Sequence, residues 1–191
     1  MTPKATSVRA DGQPDGWQAP RSFRAQVAPD GGTRLVISVP ADELPATHKA
    51  LLATLGARLS VRYLQITDRA VGQLPKPLSW VCMDTPAGDV LRVLETTARL
   101  VWEDGRHQLW VRGRPANPAA PEVSVVLDEL GVLYCYPDDV AFRDALEALG
   151  VPLGPELGLD GRDYVRVELL KEADAQEIAL ITDLRMRQVG G

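Results

Sequence analysis

The chain has 191 residues, of which 45% are hydrophobic and 25% charged, and its net charge is −5. This composition is typical of a globular protein of one or two domains and excludes a chain that is disordered throughout. Nucleic acids and anionic membranes select basic surfaces, so the acidic balance favours neither of them as a partner.

The sequence predicts a cytoplasmic protein. Its two cysteines, Cys82 and Cys135, lie far apart in apolar runs, which is typical of buried, reduced thiols and not of a disulfide framework. The N-terminal residues contain no apolar segment of the kind found in secretory signals. No stretch reaches the roughly 20 apolar residues that a membrane-spanning helix needs.

Hydrophobic periodicity defines the first half of the chain. Residues 1–20 are rich in Pro, Gly, Asp and Ala and show no periodicity, which predicts a flexible leader. The pattern then predicts, in chain order, a hairpin over 22–40, a helix over 41–57, a strand over 58–68, a connector over 72–80, a short buried strand over 80–84, a helix beginning at Thr85-Pro86, and a hairpin over 99–113 that turns at Asp104-Gly105.

The clearest break in the pattern follows. The stretch RPANPAAPE has three prolines in nine positions and no periodicity, which is typical of a semi-rigid linker. Beyond it, the sequence predicts a hairpin over 122–137, a helix over 138–150, a loop over 151–161, a strand over 162–170, a charged turn over 171–175 and a last strand over 177–187.

Both halves therefore open with a hairpin followed by a helix. We expect an α+β fold with two small domains, over 21–113 and 121–187, joined by a Pro/Ala-rich linker at 114–120 and followed by a flexible tail at 188–191. The main alternative is one mixed domain in which the linker is an internal loop.

No set of residues in the sequence predicts catalysis. His48 and His107 have no partner at metal-ligand spacing, and no nucleotide-binding glycine motif is present, so we expect no enzyme, metal or cofactor. Asp138-Asp139 is the pattern of a helix N-terminus. One alternative is an enzyme with Cys135 as nucleophile, since this residue shortly precedes that helix.

Two tryptophans are candidate contact residues. Trp102 and Trp110 lie on the two arms of the predicted hairpin over 99–113. An exposed pair of tryptophans is a possible protein-contact surface, although tryptophans more often lie in a core.

The C-terminus carries the most specific pattern. Arg185 and Arg187 alternate with apolar residues on the predicted last strand, and the chain ends in Gly190-Gly191. This end resembles that of the ubiquitin-like modifiers, whose last strand bears arginines before a terminal Gly-Gly. Gln188 and Val189 separate the arginine from the glycines, where the tail of that family is shorter.

The resemblance implies a fold and an activity. The hairpin–helix–strand order resembles the β-grasp fold, and two such domains would resemble the tandem modifiers, which include those of bacterial antiviral operons. It implies that a partner enzyme adenylates the carboxylate of Gly191, passes it to a cysteine and joins it to an amine of a target protein. Arg185 and Arg187 would dock into acidic grooves of the activating and conjugating enzymes.

A second interpretation needs no conjugation chemistry. An acidic α+β chain without a catalytic set is also typical of a cytosolic protein-binding module, such as an immunity protein or an adaptor. In that case Gly190 and Gly191 are an ordinary chain end.

Overall fold

The structure is a computed structural model that describes residues 1–28, 31–113, 122–154, 158–159, 161–167 and 170–189. The described strands are β1 (Ala5–Ser7), β2 (Ser22–Val27), β3 (Thr33–Ser38), β4 (Arg58–Asp68), β5 (Gly72–Pro86), β6 (His107–Gly113), β7 (Val123–Leu127), β8 (Leu133–Tyr136), β9 (Tyr164–Arg166) and β10 (Arg187–Gln188). The described helices are α1 (Leu44–Ala53), α2 (Ala87–Thr96), α3 (Ala98–Glu103), α4 (Val140–Ala148) and α5 (Lys171–Asp183).

Eight strands form one antiparallel sheet in the order β10-β5-β4-β6-β7-β8-β3-β2. Strands β1 and β9 pair separately as an antiparallel ribbon. All five described helices contribute buried side chains to a core on one face of the large sheet. We refer to the opposite face, which carries the alternate residues of each strand, as the outer face.

The α+β class is confirmed, and the division into two β-grasp domains is not. Strand β6 precedes the predicted linker and β7 follows it, yet they pair over Leu109–Gly113 and Val123–Leu127. Strands β3 and β8 also pair across the two halves. The sheet and its core therefore draw on both predicted domains, and the linker at 114–120 lies outside the described residues.

Several local predictions are confirmed. The hairpins β2–β3 and β7–β8 form as expected, because apolar residues alternate on each arm. Helix α1 begins at Leu44 with Pro45 in its first turn, where a missing N–H costs no hydrogen bond. Helix α4 begins after Asp139, whose carboxylate accepts the backbone N–H of Ala141 at 2.8 Å.

The prediction of a last strand over 177–187 is corrected to helix α5 followed by the two-residue strand β10. The alternation of Ile178 and Leu180 suggested a strand, but Ile178 is 69% exposed. The residues that α5 buries are Ala173 and Leu180, which lie seven positions apart on one helical face. The Lys, Glu, Ala and Gln of this segment also favour a helix.

Three further predictions are corrected. Residues 98–103 form helix α3 and not a hairpin arm, because they bury Leu100, Val101 and Trp102 together. The predicted connector over 72–80 belongs to the long strand β5, with register irregularities against β4. The predicted flexible leader contains β1, whose three residues pair with β9.

Candidate functional site

The outer face of the large sheet brings basic and apolar side chains into one register row. Arg62 of β4 lies opposite Trp110 of β6 on one side and Val81 of β5 on the other. Val81 in turn lies opposite Arg187 of β10. Neighbouring strands are about 4.8 Å apart, so this row spans about 15 Å across four strands.

We name this surface the arginine–tryptophan face and define it by Arg62, Leu64, Val81, Trp110, Arg112 and Arg187. Its three arginines are exposed, and Trp110 is 38% exposed. Leu64 and Val81 are half-buried between them. The face thus combines accessible positive charge with apolar area on a rigid sheet.

Hydrogen bonds hold two of these side chains in place. The guanidinium of Arg62 donates through Nε to Oγ of Ser79 at 2.8 Å, and Trp110 donates through Nε1 to Gln108 at 3.2 Å. Arg112 forms an ion pair of 2.8 Å with Glu122, both side chains being 62% exposed. Three arginines and one carboxylate therefore leave this face basic, in a chain whose net charge is −5.

A second polar cluster lies in the interior at the start of β6. Arg106 is 2% exposed and donates to both carboxylate oxygens of Asp104, at 2.9 and 2.8 Å. It also reaches Asp174 at 3.0 Å and Glu177 at 3.2 Å on α5. Burial alone would lower the pKa of Arg106, but the hydrogen bonds to Asp104 and Asp174 outweigh it and raise the pKa. The ion pairs from Arg106 to Asp174 and Glu177 therefore link α5 to the start of β6.

Lys4 and two histidines lie beside that cluster. The Nζ of Lys4 donates to the carbonyl of Val101 at 3.3 Å, and burial lowers the pKa of Lys4 to about 8 against the opposing attraction of Asp128 and Asp104. Burial, aided by the charge of Lys4, lowers the pKa of His48 to about 3 and that of His107 well below its usual range. Both imidazoles are therefore neutral at physiological pH.

Most ring nitrogens of His48 and His107 lack a hydrogen-bond partner among the described residues. His107 stacks on Tyr63 with 4.9 Å between the ring centres. Within the described part of the chain, neither ring nitrogen of His107 nor Nε2 of His48 has a hydrogen-bond partner. The same described residues contain no group of three or more His, Cys, Asp or Glu side chains placed to hold a metal ion.

The structure separates the two predicted contact tryptophans. Trp102 is 2% exposed and lies in the core, whereas Trp110 is on the arginine–tryptophan face. The reason is that Trp102 belongs to α3, whose side chains point into the core, and not to a hairpin arm. Only Trp110 of the predicted pair is available to a partner.

The predicted tail residues lie near the sheet edge. Arg185 is in the turn after α5, with a positive φ of 49°, and Arg187 is in β10. The backbone N–H of Val189 donates to the carbonyl of Ser79 at 2.8 Å, so the chain follows β5 up to that residue. Gly190 and Gly191 lie outside the described residues.

Cys135 does not have the environment of a nucleophile. Its side chain is fully buried in β8, and burial, with the nearby charge of Asp138, raises the pKa of its thiol well above the usual value. Cys82 is also buried, and both cysteines are reduced.

No helix in the part of the chain that the structure describes is long and apolar enough to span a membrane.

Sequence reasoning missed most of the arginine–tryptophan face. The alternation of Arg62 and Leu64 with buried residues in β4, and of Trp110 and Arg112 in β6, was a visible signal that these residues share one side of each strand. The strand order, which makes the two strands neighbours, was not visible.

Comparisons with models of protein families, with curated proteins and with solved structures found no match for the chain.

Proposed function

We propose that the chain is a protein-binding module that docks an acidic surface of a partner protein on its arginine–tryptophan face. The observation that supports this most is the register row that sets Arg62, Val81, Trp110 and Arg187 side by side on the exposed sheet. Arginine and tryptophan are the residues most enriched at the energetic centres of protein interfaces. The proposal also assigns the chain to the cytoplasm, in keeping with its two reduced, buried cysteines.

Charge favours a protein over a nucleic acid as the partner. A single-stranded nucleic acid would also stack on tryptophan and bind arginine. However, a chain of net charge −5 repels a polyanion over its remaining surface, whereas a folded partner needs only one acidic patch.

The test compares three forms of the tagged chain in cells of its source organism. The first is the natural sequence, and the second carries Arg62→Gln with Trp110→Ala. The third carries Arg92→Gln, which changes an exposed arginine of α2 on the opposite side of the molecule. Thermal melting of the purified chains checks that all three are folded.

We expect a protein to copurify in comparable amounts with the natural chain and the Arg92 variant, and to be lost with the double variant. Equal recovery with all three would contradict the proposal. Recovery that nuclease treatment abolishes would show that the ligand is a nucleic acid.

As a second candidate, we propose a ubiquitin-like modifier that is conjugated through the carboxylate of Gly191. The feature that supports it is that the last described strand, β10, lies at the edge of the sheet and carries Arg187 shortly before Gly190-Gly191 in the sequence. The finer form of this candidate is a tandem β-grasp protein with domains over 21–113 and 121–187. Its partners are an activating enzyme, a conjugating enzyme and target proteins.

Conjugation has a readout that binding lacks. With an N-terminal tag in the source organism, the modifier would give species of higher mass that survive reductant and denaturant, and deletion of Gly190-Gly191 would abolish them. If no such species form while the copurified protein remains, the first proposal stands and the second fails.

A further inference from the structure

A cavity of about 390 Å³ opens at the other end of the outer face, where β2, β3 and β8 lie side by side. Its floor is formed by outer-face residues of these strands, and its rim includes Gly161, Arg162 and Tyr164. The rim residues Gly161, Arg162 and Tyr164 are exposed, so solvent reaches the cavity. We name it the Arg34 cavity.

The guanidinium of Arg34 has N–H groups that are not used by the hydrogen bonds it forms within the protein. Its Nε and Nη2 donate to Oε1 of Gln26 at 3.0 and 2.7 Å, and its Nη1 donates to the hydroxyl of Tyr136 at 2.7 Å. It also lies 4.7 Å from the centre of the Tyr134 ring. An arginine has five N–H groups, so two of those of Arg34 have no acceptor among the described residues.

Three arginines, Arg24, Arg34 and Arg162, line the cavity with one carboxylate, Asp128, so positive charge is in excess. Asp128 directs Oδ1 to the backbone N–H groups of Leu130 and Val132, at 2.9 and 2.8 Å, and accepts the hydroxyl of Tyr134 on Oδ2 at 3.1 Å. Its acceptor oxygens are therefore used within its own hairpin. Arg162 is the cation at the rim, with a side chain that is 43% exposed and forms an ion pair of 3.4 Å with Asp15.

Apolar side chains complete the cavity. Val36, Val132 and Leu159 line it together with the ring of Tyr164. A small molecule that enters the cavity thus meets both cationic donors and apolar surface, which is the usual composition of a ligand pocket of this size.

We propose that the Arg34 cavity binds a small organic anion with a carboxylate or phosphate head and an apolar body. The anionic oxygens bind Arg34 in the cavity and Arg162 at the rim, because a planar guanidinium matches either head group. The apolar body packs on Val36 and Leu159. This site is separate from the arginine–tryptophan face and does not depend on it.

The test uses phenyl phosphate and benzoate as probes, with benzylamine as a cation of similar shape. Binding to the full chain is followed by ¹H–¹⁵N spectra, in which the Nε–H of Arg34 and the amide of Tyr134 report the site. The variants are Arg34→Gln, Arg162→Gln and the control Arg92→Gln. Since Arg34→Gln removes bonds within the fold, its melting temperature is measured, and Arg162 at the exposed rim supplies the variant that leaves the fold intact.

We expect at least one anion to bind saturably, with a dissociation constant on the order of 0.1–1 mM. Arg34→Gln should weaken binding about tenfold, Arg162→Gln by a smaller factor, and Arg92→Gln not at all. Tighter binding of phenyl phosphate identifies a phosphate monoester as the natural class of ligand, and tighter binding of benzoate a carboxylate. Absence of saturable shifts with both anions, equal binding of benzylamine, or unchanged affinity in both the Arg34 and Arg162 variants would overturn the proposal.

Discussion

Trp102 donates its indole N–H to Nδ1 of His48 at 3.1 Å, and the two rings meet edge to face with 6.4 Å between their centres. Both side chains are buried, Trp102 on α3 and His48 on α1. The bond supplies the one hydrogen-bond partner that the imidazole of His48 has among the described residues, since its Nε2 has none. It fixes the tautomer of His48, with the proton on Nε2.

Replacing Trp102 with phenylalanine should therefore destabilise the protein. The change removes the donor of a buried hydrogen bond and leaves a gap in the core, which together cost about 2–4 kcal/mol. The matched control is Trp110→Phe on the exposed outer face, for which we expect about 0.5 kcal/mol or less. Urea denaturation measures both, and equal losses would contradict the assignment of Trp102 to the core.

Acid should weaken the fold through its buried histidines. The pKa of His48 is about 3 in the folded state and that of His107 is also far below 6.5, whereas both titrate near 6.5 when unfolded. Below about pH 6.5 the unfolded state binds more protons, so each histidine lowers the free energy of unfolding by about 1.4 kcal/mol per pH unit. Burial raises the pKa of Asp128 to about 6, which offsets part of this loss below that pH.

The measurement is the free energy of unfolding between pH 7 and pH 5, together with the imidazole resonances of the native protein. We expect stability to fall over this range while both histidines stay neutral. Native histidine resonances that titrate near pH 6.5 would show that the side chains are not buried as described.

Arg106 should be essential for stability. Arg106→Met would leave the buried carboxylate of Asp104 without its ion-pair partner and would also remove the ion pair of Glu177, which costs about 3–5 kcal/mol. The control is Arg69→Gln, which removes an ion pair to Asp174 between side chains that are 48% and 37% exposed. Such a pair contributes at most about 1 kcal/mol. Thermal and urea unfolding distinguish the two outcomes, and a mild effect of Arg106→Met would refute the role of the cluster.

Gly105 should not accept a side chain. A Cβ there would lie 2.9 Å from the carbonyl oxygen of Val167 and 3.1 Å from those of Glu129 and Lys4. Because all three neighbours are backbone atoms, they can relieve the contact only if the backbone shifts, and we expect Gly105→Ala to cost about 1–3 kcal/mol. Gly88→Ala in α2 meets open space and should be neutral or slightly stabilising. A tolerated Gly105→Ala would show that the packing of the N-terminal segment against this turn is looser than described.

The sequence predicted local elements better than their assembly. Alternation in 22–40 and 122–137, the apolar faces of α1 and α4, and the cap of α4 at Asp139 are local signals, and those elements formed where expected. The pairing of β6 with β7 and of β3 with β8 depends on contacts between distant segments, which periodicity does not encode. The halves therefore suggested separate domains although their strands share a sheet.

Apolar periodicity did not distinguish helix from strand in residues 177–187. Residues 177–187 contain apolar positions that fit both periods, and only burial shows that Ala173 and Leu180 set the face of α5. The stretch from Trp102 to His107 was interpreted as a turn because it contains Asp-Gly. Its charged residues are instead buried, because Asp174 and Glu177 of α5, 68 and 71 residues beyond Arg106, bind that arginine. No local pattern reports contacts between residues so far apart in sequence.

The central claim is that the arginine–tryptophan face binds an acidic protein, and the affinity of the isolated partner tests it most directly. Its dissociation constant is measured for the natural chain, for Arg62→Gln with Trp110→Ala, and for Arg92→Gln, at ionic strengths from about 50 mM to about 300 mM. We predict that the double variant weakens binding about 30-fold or more, that Arg92→Gln has no effect, and that salt weakens binding of the natural chain most. Equal dissociation constants for the natural chain and the double variant would contradict the claim.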